Sequence, residues 1–202
     1  MMPPPKTKIY NRAALGPADT RAIAAAFKAG AAAVLPTDTV YGLCAACGAA
    51  GALDKLHKIK NNPADKPPQI LCSSEQALRL VVPTEVFLRA ARLWPGALTI
   101  VAAVSPEAKV ILGGAATVGL RVPADDFILN VIELCGGPLF ATSANMHGAP
   151  VCRTPPEVTE VFDGRADIIV LGGEIKNPPS AVIDACGAEI KVIRQGARPL
   201  NI

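Results

Sequence analysis

Short apolar runs, each cut off by proline, glycine or a polar cluster, dominate this sequence and leave no room for a long helix. Residues 31–35 stop at Pro36, residues 118–122 stop at Pro123, and residues 97–104 follow Pro95-Gly96. Runs of this length with such boundaries read as buried strands. Further strands are expected at residues 43–47, 69–72, 139–142, 167–171, 181–184 and 189–194. Between them, residues 19–29, 52–60, 75–80, 85–93 and 126–134 carry apolar side chains at helical spacing. Asp19 and Thr20 are cap candidates for the first helix, Gly30 and Gly136-Gly137 are stops, and Pro63 disfavours helical geometry just before it. Strands and helices interleave without strict alternation, so the fold class is α/β, with a twisted, mixed sheet flanked by helices.

The nineteen prolines and seventeen glycines are scattered over 202 residues, half of them apolar, which describes many tight turns. One domain over 1–202 is expected, with a proline-led N-terminal arm over about 1–16. A net charge of +3 is too small to argue for nucleic acid by itself. Lys55, Lys58, Lys60 and Lys66 crowd one stretch, opposed there only by Asp54 and Asp65. They form either a solvated face or a phosphate contact. The six cysteines are spread out and no apolar signal core precedes them, so reduced thiols and a cytoplasmic setting are expected, or an organelle if a targeting peptide is missing. Cys44 and Cys47 form a lone C-x-x-C inside an apolar run, which reads as buried small side chains rather than a metal or redox site. No uninterrupted apolar stretch reaches membrane-spanning length, and no membrane partner is expected.

Three polar constellations follow strand ends or interrupt strands. Thr37-Asp38-Thr39-Val40-Tyr41-Gly42 comes directly after residues 31–35, where α/β folds usually bind ligands; a self-satisfied turn is the structural alternative. Thr142-Ser143-Ala144-Asn145 follows another apolar strand and offers groups that both donate and accept, though Ser and Asn are also good helix caps. Arg121 sits inside an apolar strand, and its planar fork asks for a carboxylate or phosphate; ligand contact is preferred over an internal Asp. Neither a G-x-x-x-x-G-K-[ST] nor a G-x-G-x-x-G is present. His57 is expected at an exposed helix position. His147, in the loop after Asn145, is the better-placed histidine for catalysis.

Taken in order, Pro36 to Leu43, Lys60 with Pro63 to Pro67, Trp94-Pro95-Gly96 with Leu98-Thr99, Val118 to Pro123, Thr142 to Asn145, and Ser180-Ala181-Val182 with Arg194-Gln195-Gly196 resemble the YrdC-like family, the threonylcarbamoyl-adenylate synthases. The resemblance runs from about residue 19 to residue 196. It implies an open, twisted sheet of the DHBP synthase-like kind with a large concave basic cavity. It also implies a nucleotidyltransferase reaction: L-threonine, bicarbonate and ATP give threonylcarbamoyl-AMP and pyrophosphate. A separate transferase system then modifies adenosine 37 of tRNA.

By position, Thr37, Arg121, Ser143 and Ser180 resemble the threonine-holding residues. Lys60, Asn62, Lys66, Thr117, Asn145 and Arg194 fall at or near the nucleotide-holding positions, and Lys60, Ser143 and Asn145 are the catalytic candidates. Mg²⁺ is expected to accompany ATP, with no metal site made by protein side chains alone. The sequence departs from the family pattern where Lys-Gly-Arg-Pro reads Lys60-Asn61-Asn62-Pro63, so a neutral amide stands where an arginine is expected to face phosphate. Lys66 or His147 is the expected compensation. His147-Gly148 replaces Ser-Gly, Ser180-Ala181-Val182 replaces Ser-Thr-Val, and Pro68-Gln69-Ile70 occupies a normally apolar run. A second reading is a non-catalytic YrdC-like protein that binds nucleotide or RNA, double-stranded RNA or tRNA.

Overall fold

Strands that are buried on both faces need apolar side chains at every position, and this requirement organises the molecule. A computed structural model describes residues 6–61 and 69–200. In chain order the elements are β1 (Lys8–Asn11), α1 (Pro17–Lys28), β2 (Ala32–Leu35), β3 (Gly42–Ala46), α2 (Ala52–Lys60), β4 (Gln69–Leu71), α3 (Ser74–Leu80) and α4 (Glu85–Ala91). They continue with β5 (Leu98–Ala103), β6 (Thr117–Arg121), α5 (Asp126–Cys135), β7 (Leu139–Ser143), α6 (Pro155–Phe162), β8 (Ile168–Leu171), β9 (Ala181–Asp184) and β10 (Lys191–Arg194). Among the described residues the ten strands form one mixed sheet in the order β1-β8-β2-β3-β7-β4-β6-β5-β9-β10.

The side-chain alternation of a strand sorts the core into two halves. Ala33 and Leu35 of β2, Cys44 of β3 and Leu139 and Ala141 of β7 face Ile23 and Phe27 of α1 and Ile128, Val131 and Ile132 of α5. Val34, Leu43, Ala45 and Phe140 point to the other face, where Leu56 of α2, Phe87 of α4 and Phe162 of α6 cover them. Central strands β2 and β3 are buried at every residue. The helices therefore flank the sheet as the apolar patterns predict.

Several expectations are corrected. The N-terminal arm is not a free arm beyond residue 6: β1 pairs in parallel with β8, Lys8 opposite Ile168, and forms one edge of the sheet. Helix α1 begins at Pro17, two residues earlier than expected. Asp19 is its third residue rather than its cap, and it accepts a hydrogen bond from the Gly16 N–H at 3.0 Å. Helix α6 was not expected, although Thr154-Pro155-Pro156-Glu157 is a capping box with prolines in the first turn. β10 starts at Lys191 rather than residue 189. No helix among the described residues is long and apolar enough to cross a membrane.

The C-x-x-C residues also sort by face. Cys44 belongs to the α1/α5 half of the core and Cys47 to the other half. Burial raises both, Cys44 to about 12. All six cysteines are unpaired.

Candidate active site

The inner ends of β2, β3, β4, β6 and β7 leave a concave space of about 460 Å³ that is partly closed by α2 and by the segment before β9. Thr37, Lys60, Arg121, Ser143, Asn145, Ser180 and Arg194 all line it. Seven residues spread over 158 positions of sequence thus share one basin. Thr117 does not: it is exposed at the far end of β6 from Arg121, and it is not among the lining residues. Asn62 and Lys66 lie outside the described residues. Cations of the lining are Lys60, Arg121 and Arg194, and no Asp or Glu is among the described residues that form it.

Lys60 anchors one end. Helix α2 brings it beside the end of β7, where its Nζ donates to Ser143 O at 2.5 Å, Asn145 Oδ1 at 2.9 Å and Thr142 Oγ1 at 3.2 Å. Burial lowers its pKa from 10.5 to about 8, because the charged form is poorly solvated there. Asn145 is held on every side: its Oδ1 also accepts from Ser143 Oγ at 2.7 Å, and its Nδ2 donates to Met146 O and Ala149 O. The His147 N–H donates to Lys60 O at 3.0 Å, tying the loop after β7 to α2. Thr142 Oγ1 accepts a hydrogen bond from Lys60 and so keeps its own proton for a ligand. That makes Thr142, left out of the expected site residues, a full member of this end.

Arg121 anchors the middle, but not as an uncommitted fork. Its Nη2 donates to Asp38, its Nη1 to Thr39 Oγ1 at 2.6 Å, and its Nε to Gly96 O at 3.1 Å. An internal carboxylate, Asp38, is thus one partner of Arg121, where the sequence favours ligand contact. The reason is the loop between β2 and β3, which folds back so that Asp38 reaches β6. Thr37 closes that loop: its Oγ1 donates to Val40 O at 2.6 Å and accepts from the Thr39 and Val40 N–H groups. Thr37 therefore faces the cavity with its single proton already committed.

At the third corner Ser180 is 3% exposed and bonded to Thr99 Oγ1 at 2.8 Å. Arg194 donates one N–H to Ser180 O at 2.9 Å and keeps the rest of its guanidinium outward. His57 also lines the cavity and is not the exposed residue that was expected. Both its ring nitrogens are buried and lack a hydrogen-bond partner among the described residues.

The comparisons with known proteins bear on this arrangement. Residues 25–196 match the family model Sua5_yciO_yrdC, described as "Telomere recombination". The chain belongs to the Sua5/YciO/YrdC family. A threonylcarbamoyl-AMP synthase of Pyrococcus abyssi is 38% identical over 185 residues, which cover 89% of this chain and 54% of that protein. The crystal structure of P. abyssi Sua5 complexed with L-threonine matches at TM-score 0.85 and 35% identity, covering 96% of this chain and 58% of that one. E. coli YciO shares the fold at TM-score 0.85 and 20% identity, over 98% of both chains. This member of the Sua5/YciO/YrdC family spans about half the length of the curated relatives it matches.

Proposed function

We propose that this chain is an L-threonylcarbamoyl-adenylate synthase, a nucleotidyltransferase that supplies threonylcarbamoyl-AMP for tRNA modification. The observation that carries the reading is the convergence of Lys60, Arg121, Ser143, Asn145, Ser180 and Arg194 on one basin whose described lining residues include three cations and no Asp or Glu. Relatives named threonylcarbamoyl-AMP synthase, and a Sua5 structure with L-threonine, support it.

In this reading the threonine amine and bicarbonate condense to a carbamate with loss of water. A carbamate oxygen attacks the α-phosphorus of ATP, and the bond to pyrophosphate breaks. No side-chain nucleophile is needed, so the protein contributes position and charge. Lys60 and Arg194 offset the charge that builds on the departing pyrophosphate. Lys60 does so from a rigid cradle, its three protons shared with Thr142, Ser143 and Asn145. The Thr142 proton and the outward N–H groups of Arg194 are the donors open to phosphate oxygens. Arg121, its charge balanced by Asp38 and its plane fixed by Asp38, Thr39 and Gly96, offers its remaining N–H groups to the threonine carboxylate. Mg²⁺ would travel on the triphosphate and neutralise part of its charge. A lining of cations, hydroxyls and amides suits phosphate oxygens better than it suits a protein-held divalent ion.

The test is pyrophosphate release from ATP with L-threonine and bicarbonate, each omitted in turn, with the adenylate identified by mass. Release that needs all three is expected, and Arg194→Ala is expected to weaken ATP use by roughly tenfold. A folded sample that binds nucleotide or RNA without releasing pyrophosphate would support the non-catalytic reading instead.

A further inference from the structure

One wall of the cavity carries a chain of three polar side chains, and beyond the expected placing of Ser180 near threonine the chemistry above gives Gln69 and Thr99 no part. Gln69 opens β4, Thr99 lies on β5, and Ser180 immediately precedes β9. Gln69 and Ser180 line the cavity, while Thr99 is buried behind them at 4% exposure. Strand β6 runs between β4 and β5, and an ordinary side chain there would separate Gln69 from Thr99. Gly119 of β6 removes that obstacle: a Cβ at Gly119 would come within 3.2 Å of Thr99 Cγ2.

Thr99 Oγ1 donates to Gln69 Oε1 at 2.9 Å. Between Thr99 Oγ1 and Ser180 Oγ, 2.8 Å apart, geometry alone allows either donor. With the Gln69 amide turned so that its carbonyl faces Thr99, proton counting assigns the donor. A hydroxyl has one proton, and that of Thr99 is spent on Gln69, so Ser180 must donate to Thr99. Ser180 Oγ is then left toward the cavity with lone pairs and no proton. Gln69, its carbonyl committed, keeps its Nε2 donors uncommitted among the described residues. The wall thus offers an acceptor beside a donor. A carboxylate only accepts and an ammonium only donates, whereas a hydroxyl does both.

We propose that Gln69, oriented by Thr99, and Ser180 together recognise the side-chain hydroxyl of the amino-acid substrate, and that Gln69 is the specificity-determining residue separating threonine from its isostere valine. The inference rests on the synthase reading of the same cavity. Gln69 stands where the family resemblance leads one to expect an apolar residue, so the device belongs to this chain's own sequence. A valine here strands the Ser180 acceptor and the Gln69 donor without partners, a desolvation loss that a purely apolar pocket does not impose.

Titration calorimetry of L-threonine and L-valine, with ATP present, tests this on the native chain, Gln69→Leu and Thr99→Val, each checked for folding by thermal melting. The native chain is expected to prefer threonine by roughly a hundredfold or more. Gln69→Leu is expected to weaken threonine and narrow that ratio by roughly tenfold while ATP affinity, measured separately, stays unchanged. Thr99→Val, which is isosteric, frees the Gln69 carbonyl and the Ser180 proton and is expected to narrow the ratio likewise. In turnover the signature is a raised KM for threonine at constant KM for ATP. An unchanged threonine-to-valine ratio in folded Gln69→Leu and Thr99→Val overturns the inference and leaves the synthase reading standing. Native protein that binds ATP but neither amino acid overturns both.

Discussion

Lys60 is 5% exposed, and that burial pulls its pKa from 10.5 down to about 8, against a weaker opposite push from the Cys152 thiol. In the synthase reading, the cation that offsets phosphate charge therefore titrates near pH 8. ATP affinity is expected to fall as pH rises through about 8, because Lys60 loses its charge; a pH series of ATP titrations checks this, and Lys60→Met should be weak at every pH without that step. Stability should move the other way. Between about pH 8 and the unfolded value of 10.5 the unfolded chain binds more protons at this site than the folded one, so unfolding free energy should rise with pH across that window. Denaturant melts at pH 7.5 and 9.5 should show the rise in the native chain and lose it in Lys60→Met. Arg121 teaches a different lesson about single residues. Its place in an apolar strand was enough to say that it needs a partner, yet only the fold reveals Asp38 and Thr39 as that partner.

Helix α2 shows how an element delivers a side chain. Leu56 packs into the core one turn before Lys60, so the amphipathic face that seats the helix also aims Lys60 inward. The helix ends because Asn61 adopts the left-handed conformation at φ 51°. That conformation explains why Asn stands where the family resemblance expects Gly, since these are the residues that tolerate it best. Asn61→Gly is expected to leave thermal stability unchanged or slightly raised. Asn61→Val should cost about 1–2 kcal/mol in denaturant melts and also weaken ATP binding by displacing Lys60. Most elements were legible at this scale because their apolar period was clear. β1 and α6 were not, for physical reasons. β1 is an edge strand with mostly exposed side chains, so it carries no apolar run to read. α6 is two turns long, and its prolines look like loop residues until one notices that they occupy the first turn, where a missing N–H costs nothing.

At the scale of the whole molecule, β1 does more than extend the sheet. The 3₁₀ turn that follows it carries Arg12, whose guanidinium bonds both oxygens of Asp125 at 2.7 and 2.8 Å. Asp125 in turn caps α5 by accepting the Ile128 N–H at 3.1 Å. The N-terminal edge is thus coupled to a helix more than a hundred residues away, on the face opposite α2. Arg12→Met should cost about 1 kcal/mol, discounted because Arg12 is 32% exposed, and lower the melting temperature by about 2–4 °C. Removal of residues 1–14 should lower it further and expose the apolar edge of β8, which light scattering would register as aggregation. What the sequence determined by itself was local: the period of each run, the stops at Gly and Pro, and the types of polar residue set at strand ends. Those follow from backbone sterics and from apolar burial within a few neighbours. The tertiary structure alone decided which of those polar groups meet, because the partners of Lys60, Arg121 and Gln69 come from strands and loops distant in sequence. It also left Thr117 out of the basin and brought Thr142, Gln69 and His57 into it. Contacts across a mixed sheet depend on strand order and register, and neither is encoded in the spacing of residues along one strand.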